Sequence, residues 1–179
     1  MAAAVQTQYY NGAGPADAQA TNLRFKLADD NTQDTNNPCV KPAAGTNYSA
    51  WKAICLYCAG TAPDNDIDNI KIYTDGTLGW TGCTVEVGDE DVALASYDQA
   101  TGSGDSWDIM TDHTSITGTS SLFAYTSGST RAVAEEAAWS TPGTNEPITK
   151  QIILQLNVGS TAVGGNQAAE TITWMYDET

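Results

Sequence analysis

The chain has 179 residues, with 22 Asp and Glu against seven Lys and Arg, and a formal net charge of -15 at pH 7. A field of that sign repels phosphate backbones and anionic headgroups, so neither nucleic acid nor a membrane is expected as a partner. His113 is the single histidine, which leaves little for proton transfer near neutral pH.

Residues 1–20 open on Met1 with no basic n-region and no apolar h-region, which predicts the absence of a signal peptide and synthesis in the cytoplasm. The stretch is small, polar and turn-prone, and is expected to be a flexible N-terminal arm, with 21–179 forming one domain. Leu23, Phe25 and Leu27 alternate with Asn22, Arg24 and Lys26 and predict a first strand. A long loop over 28–48 follows. Its opening, Ala28 to Cys39, is dense in Asp, Asn and Thr. Asp64, Asp66 and Asp68 repeat that texture further on. Alternating carboxylates can wrap Ca²⁺, which takes six to eight oxygens, so Asp29, Asp30, Asp34, Asp64, Asp66 and Asp68 are the candidate calcium ligands. Side-chain to backbone turns are the competing use of the same residues. No organic cofactor is expected.

The run 51–58 is apolar on both faces, as a central strand or one covered by a partner would be. It carries Cys55 and Cys58, whose C-x-x-C spacing suggests zinc or redox chemistry. On a strand, however, residues three apart point to opposite faces. Buried thiols, or long-range pairing of Cys39 with Cys58 or Cys83, are therefore expected ahead of zinc. Ile70 and Ile72 alternate with Lys71 and Tyr73 and end at Asp75-Gly76, a hairpin-turn signal. Further strands are expected at 83–87, 92–97, 107–110 and 121–126. Residues 131–138 are the one stretch of helix formers, stopped by Pro142 and Gly143. Ile152, Leu154, Leu156 and Val158 alternate with Gln151, Gln155 and Asn157. At the end, Ile172, Trp174 and Tyr176 oppose Thr171, Thr173 and Met175. Short strands with turns between them predict an all-β fold, a single antiparallel sandwich or jelly-roll-like domain with long loops and at most one short helix.

Nothing in this pattern announces catalysis. Asp112, His113 and Ser115 lie together in sequence, but a triad also needs convergence in space and an oxyanion hole. Glu135 and Glu136 are neighbours and diverge on any regular element. Trp80, Trp107 and Trp139 lie in turn-rich context and are the candidate exposed binding aromatics, whereas Trp51 and Trp174 suit a core.

Three stretches carry a family likeness: Thr21 to Asp30 continuing through Asn36 to Ser49; Asn69 to Trp80; and Leu154 to Val158 with Glu170 to Glu178. Together they resemble β-rich structural proteins of tailed viruses of bacteria and archaea. The likeness is one of texture across most of the chain, with no motif of assigned chemical role, so no functional residue carries over. It implies a non-enzymatic virion component, such as a capsid decoration or cement protein, or a tail or fibre subunit. Its partners would be capsid or other virion proteins, with assembly as a homo-oligomer. The alternative is a carbohydrate- or surface-binding module, stabilised by calcium.

Overall fold

Strand β4 (Lys52–Cys58) is buried at all seven positions, and its neighbours explain why. In the computed structural model, which describes residues 4–10, 18–20, 22–30, 32, 35–60, 66–90, 101–102, 107–136 and 145–179, it lies inside the larger of two antiparallel sheets. β1 (Val5–Tyr10) pairs with it on one side and β10 (Ile152–Gly159) on the other. The sheet continues from β10 to β6 (Cys83–Glu90) and then β7 (Ile116–Ser121). Short strands β2 (Ala18–Gln19), β3 (Thr46–Tyr48) and β9 (Glu146–Pro147) pair with β1, β10 and β4 respectively. The second sheet has three strands in the order β11 (Thr173–Glu178), β5 (Ile67–Tyr73), β8 (Arg131–Ala132). Every ladder is antiparallel and neither sheet closes into a barrel, so the all-β, sandwich-like expectation holds.

Two apolar layers follow from the period of two along the central strands. Ile54, Leu56 and Cys58 of β4, with Ile152, Leu154, Leu156 and Val158 of β10, face Ile67, Ile70 and Ile72 of β5 in the main core. Ile172, Trp174 and Tyr176 pack against the same core, as their alternation predicts, while Met175 on the opposite face is exposed. On the far side of the large sheet, Ala53, Cys55 and Tyr57 join Trp51, Tyr10, Ile153, Met110 and Ile116 in a second cluster. The doubly apolar strand is thus covered by its own chain. Each large aliphatic side chain in these layers contributes about 1.5–3 kcal/mol of burial.

Several expectations are corrected. Residues 1–20 are not an arm outside the fold throughout, because Val5–Tyr10 runs the full register Val5↔Cys58 to Tyr10↔Ala53 along β4. Residues 22–27 form no strand. They are held by a single bridge, Lys26↔Pro38, and by Ala50 N–H donating to the Lys26 carbonyl. Leu23 and Phe25 do pack on the core, but Lys26, expected to face out, is buried. Asp75-Gly76 does not close a hairpin. Thr77 N–H donates to Asp75 Oδ1 at 2.9 Å, Gly76 adopts φ +85°, and the chain leaves β5 in one sheet to enter β6 in the other.

The stretch of helix formers at 131–138, open to one or two helical turns or an irregular connection, is over its described residues β8 and an extended run. Val133 N–H bonds the Ile70 carbonyl and the Ala134 carbonyl takes Lys150 N–H. Neighbouring strands claim these backbone groups, which overrides local propensity. Residues 107–110 and 121–126 supply 3-10 turns at Met110–Asp112 and Leu122–Ala124 in place of strands. The strand expected at 92–97 lies outside the described residues.

Candidate functional site

The register of β6 against β7 shifts between Val87 and Asp89, beside an ion pair and several buried polar groups. A bulge bends the strand and re-aims the side chain that follows it. Two glycines make it feasible. A Cβ on Gly88 would collide with the Ile116 side chain, and Gly118 adopts φ +59° with Asp89 Oδ2 and an Arg131 amine only 3.1 and 3.2 Å from where its own Cβ would stand. Opposite the bulge Asp89 meets Arg131, which arrives from β8 in the other sheet. Arg131 Nη2 donates to Asp89 Oδ2 at 2.7 Å, and Nη1 donates to Ser120 Oγ and to the Tyr125 hydroxyl at 3.3 and 3.1 Å. The guanidinium also lies 5.6 Å from the Tyr125 ring centre. The Ser120 hydrogen bond, aided by Arg131, holds the Tyr125 hydroxyl below the usual phenol range against the opposing effect of burial.

Beside this ion pair is a cleft of about 210 Å³ lined by Asp89, Glu90, Thr117, Ala134, Lys150 and Gln151. Glu90 N–H donates to the Gln151 carbonyl, so the ends of β6 and β10 form one wall. Gln151 is 1% exposed and neither atom of its carboxamide has a hydrogen-bond partner. Asp89 Oδ1 and Arg131 Nε are likewise buried without one. The Asp89 and Arg131 charges neutralise each other, and spare hydrogen-bonding capacity of both signs remains. None of these residues stood out in the sequence, because four separate elements contribute them.

Of the sequence-predicted ligands the structure describes Asp29, Asp30, Asp66 and Asp68. Asp29 and Asp30 sit beside two lysines. Lys26 Nζ bonds Asp30 Oδ1 at 2.9 Å, Thr32 N–H bonds the same oxygen at 2.7 Å, and Lys52 Nζ donates to the Asp30 backbone carbonyl. Burial pushes the Asp30 carboxyl up, but Lys26 and Thr32 outweigh it and leave it below the usual carboxylate range. Desolvation pulls Lys52 down to about 8 despite the nearby Asp29 and Asp30. At Asp66, backbone hydrogen bonds run in both directions to Thr179. Asp68 lies across from Asp177 in the β5–β11 ladder. Among the described residues no three His, Cys, Asp or Glu side chains are grouped to hold a metal; Asp34 and Asp64 lie outside those residues.

Trp80 and Trp107 are pins. The Trp80 indole donates to the Ala168 carbonyl at 2.7 Å and meets Phe25 edge-on, while the Trp107 indole donates to the Leu27 carbonyl at 3.2 Å. They pack on opposite apolar layers, so the two form no common platform. Trp139 lies outside the described residues. His113 Nδ1 accepts the Ser115 backbone N–H, and its ring stands edge-on to Trp51.

Cys55 and Cys58 join opposite clusters, as their strand spacing requires, and all four cysteines are free thiols rather than the long-range disulfides left open by the sequence. Burial raises the Cys58 and Cys83 thiols above their ordinary value, which suppresses the reactive thiolate. Alkylation of the native protein is expected to label the half-buried Cys39 and Cys83 first, with Cys55 and Cys58 modified only on unfolding. Site-resolved mass spectrometry checks the order, and early labelling of Cys55 would contradict it.

Fold and site together define a two-sheet β protein with a polar cleft at one end of its large sheet. No family model, curated protein or solved structure matches the chain.

Proposed function

We propose that this chain is a non-enzymatic structural protein of a virion, a capsid decoration or cement subunit that binds a protein lattice. The distribution of its basic residues is the observation that carries the reading. Of the seven, Lys26, Lys52 and Arg131 are buried, and among the remaining four only Lys41 is fully exposed. The outer surface is therefore more one-sidedly acidic than the net charge implies. Such a surface steers toward a basic protein face and disfavours polyanions.

The sheet edges support contacts through faces and loops. β7 carries the bulge and Gly118, and β11 carries a register shift between Met175 and Asp177 beside two terminal acids. Bulges and charges blunt an edge against strand addition. The chain is expected to be present in purified particles by mass spectrometry, and to bind capsids in sedimentation. Binding should weaken steeply as salt is raised past physiological strength, where the screening length falls below ~8 Å. Absence from particles, or capsid binding indifferent to salt, counts against this reading.

A further inference from the structure

We propose that the cleft between β6, β7, β8 and β10 binds a neutral polyhydroxy ligand, a single sugar ring presenting adjacent hydroxyls. The inference goes beyond the virion reading and stands without it. Its basis is the mismatch between paired charge and unpaired hydrogen-bonding groups. Arg131 and Asp89 already form an ion pair at 2.7 Å. On the lining residues there remain Gln151 Oε1 and Asp89 Oδ1 as acceptors and Gln151 Nε2 as a donor. A bare cation would satisfy only the acceptors and an anion only the donor. Each hydroxyl of a vicinal diol both donates and accepts, so two of them match the set.

Size points the same way. The cleft's 210 Å³ equals about seven waters at ~30 Å³ each, and falls short of the ~300–1,000 Å³ of drug-sized pockets. One ring fits that space. Gln151 is the defining residue. A glutamine 1% exposed with both amide atoms unpartnered costs stability in the free protein, and a ligand that pairs them recovers it. Gly118 stands against the same pair: at φ +59° a side chain there is strained, and its Cβ would press Asp89 Oδ2 and Arg131 Nη2 at 3.1 and 3.2 Å.

The test is an amide-resolved NMR titration of the full chain with D-glucose, D-galactose and D-mannose, using arginine amide and inorganic phosphate as charged probes. At least one sugar is expected to give saturable shifts at the Gln151 side-chain amide and the Asp89 and Glu90 backbone, while the charged probes give none. Gln151→Leu should weaken that sugar at least ~10-fold and leave the urea midpoint unchanged or higher, because an apolar side chain replaces an amide without partners. Three results overturn the proposal: no sugar saturates, which leaves internal water only; a charged probe saturates instead; or Gln151→Leu keeps its sugar affinity. The wild-type titration decides even if the variant does not fold.

Discussion

Arg131→Ala is expected to cost about 3 kcal/mol of unfolding free energy, the low end of what removing one partner of a buried ion pair costs. The side chain is 8% exposed and ties β8 to β6 and to the turn after β7 through Asp89, Ser120 and Tyr125. Truncation leaves the Asp89 carboxylate facing the Gly118 backbone with no cation, and removes the guanidinium from the Tyr125 ring. Asp89 itself is 35% exposed, so water can reach part of it, which keeps the cost from the upper range. Arg131→Lys retains the charge but not the fork that serves three oxygens at once, and should fall between wild type and the alanine variant. Asp89→Asn should cost less than either, because a neutral amide beside Arg131 leaves a cation that still has Ser120 and Tyr125. Urea unfolding of the four proteins measures the series. A loss below about 1 kcal/mol for Arg131→Ala, in the range of exposed pairs, would mean that the two sheets are held at this end by apolar packing alone.

That network also marks where the sequence stopped being legible. Strands β4, β5, β10 and β11 could be read because their apolar positions repeat every two residues and point to a core that exists. The placement of Cys55 and Cys58 on opposite faces of the strand followed from the same period. Arg131 defeated the reading because Ala and Glu after it look helical, and only the partners Ile70 and Lys150, far away in sequence, make the run extended. Asp75-Gly76 has hairpin chemistry, yet its turn serves a change of sheet, since Thr74 is bonded to Tyr125 and not to a neighbour across a hairpin. The cleft had no local signature at all. It depends on a bulge, and the bulge on the close approach of Gly88 to Ile116. The Asx-rich loop was conspicuous for the right composition, but what distinguishes its described part is two buried lysines, Lys26 and Lys52, of which alternation had sent Lys26 outward.

Lys52 gives the second large effect, and its sign is opposite to that of a surface lysine gaining a partner. Desolvation holds the folded-state value at about 8 against an ordinary 10.5, although Asp29 and Asp30 pull the other way. Between those pH values the unfolded chain keeps a proton that the native lysine has released, so stability rises with pH across that window. At ~1.4 kcal/mol per pH unit the full gain is about 3 kcal/mol. Below pH 8 both states are protonated and the native one bears the cost of a charge held inside the fold. The raised Cys58 and Cys83 thiols act in the reverse direction at alkaline pH, since the native protein then holds protons the unfolded chain has lost. The lysine contribution is therefore isolated by difference. Urea unfolding of wild type and Lys52→Met, measured across pH 7 to pH 10.5, should diverge in favour of wild type as pH rises, with most of the change above pH 8. Parallel curves would place the Lys52 amine in contact with water, and would make the hydrogen bond to the Asp30 carbonyl a surface contact in place of the buried tie between β4 and the acidic loop.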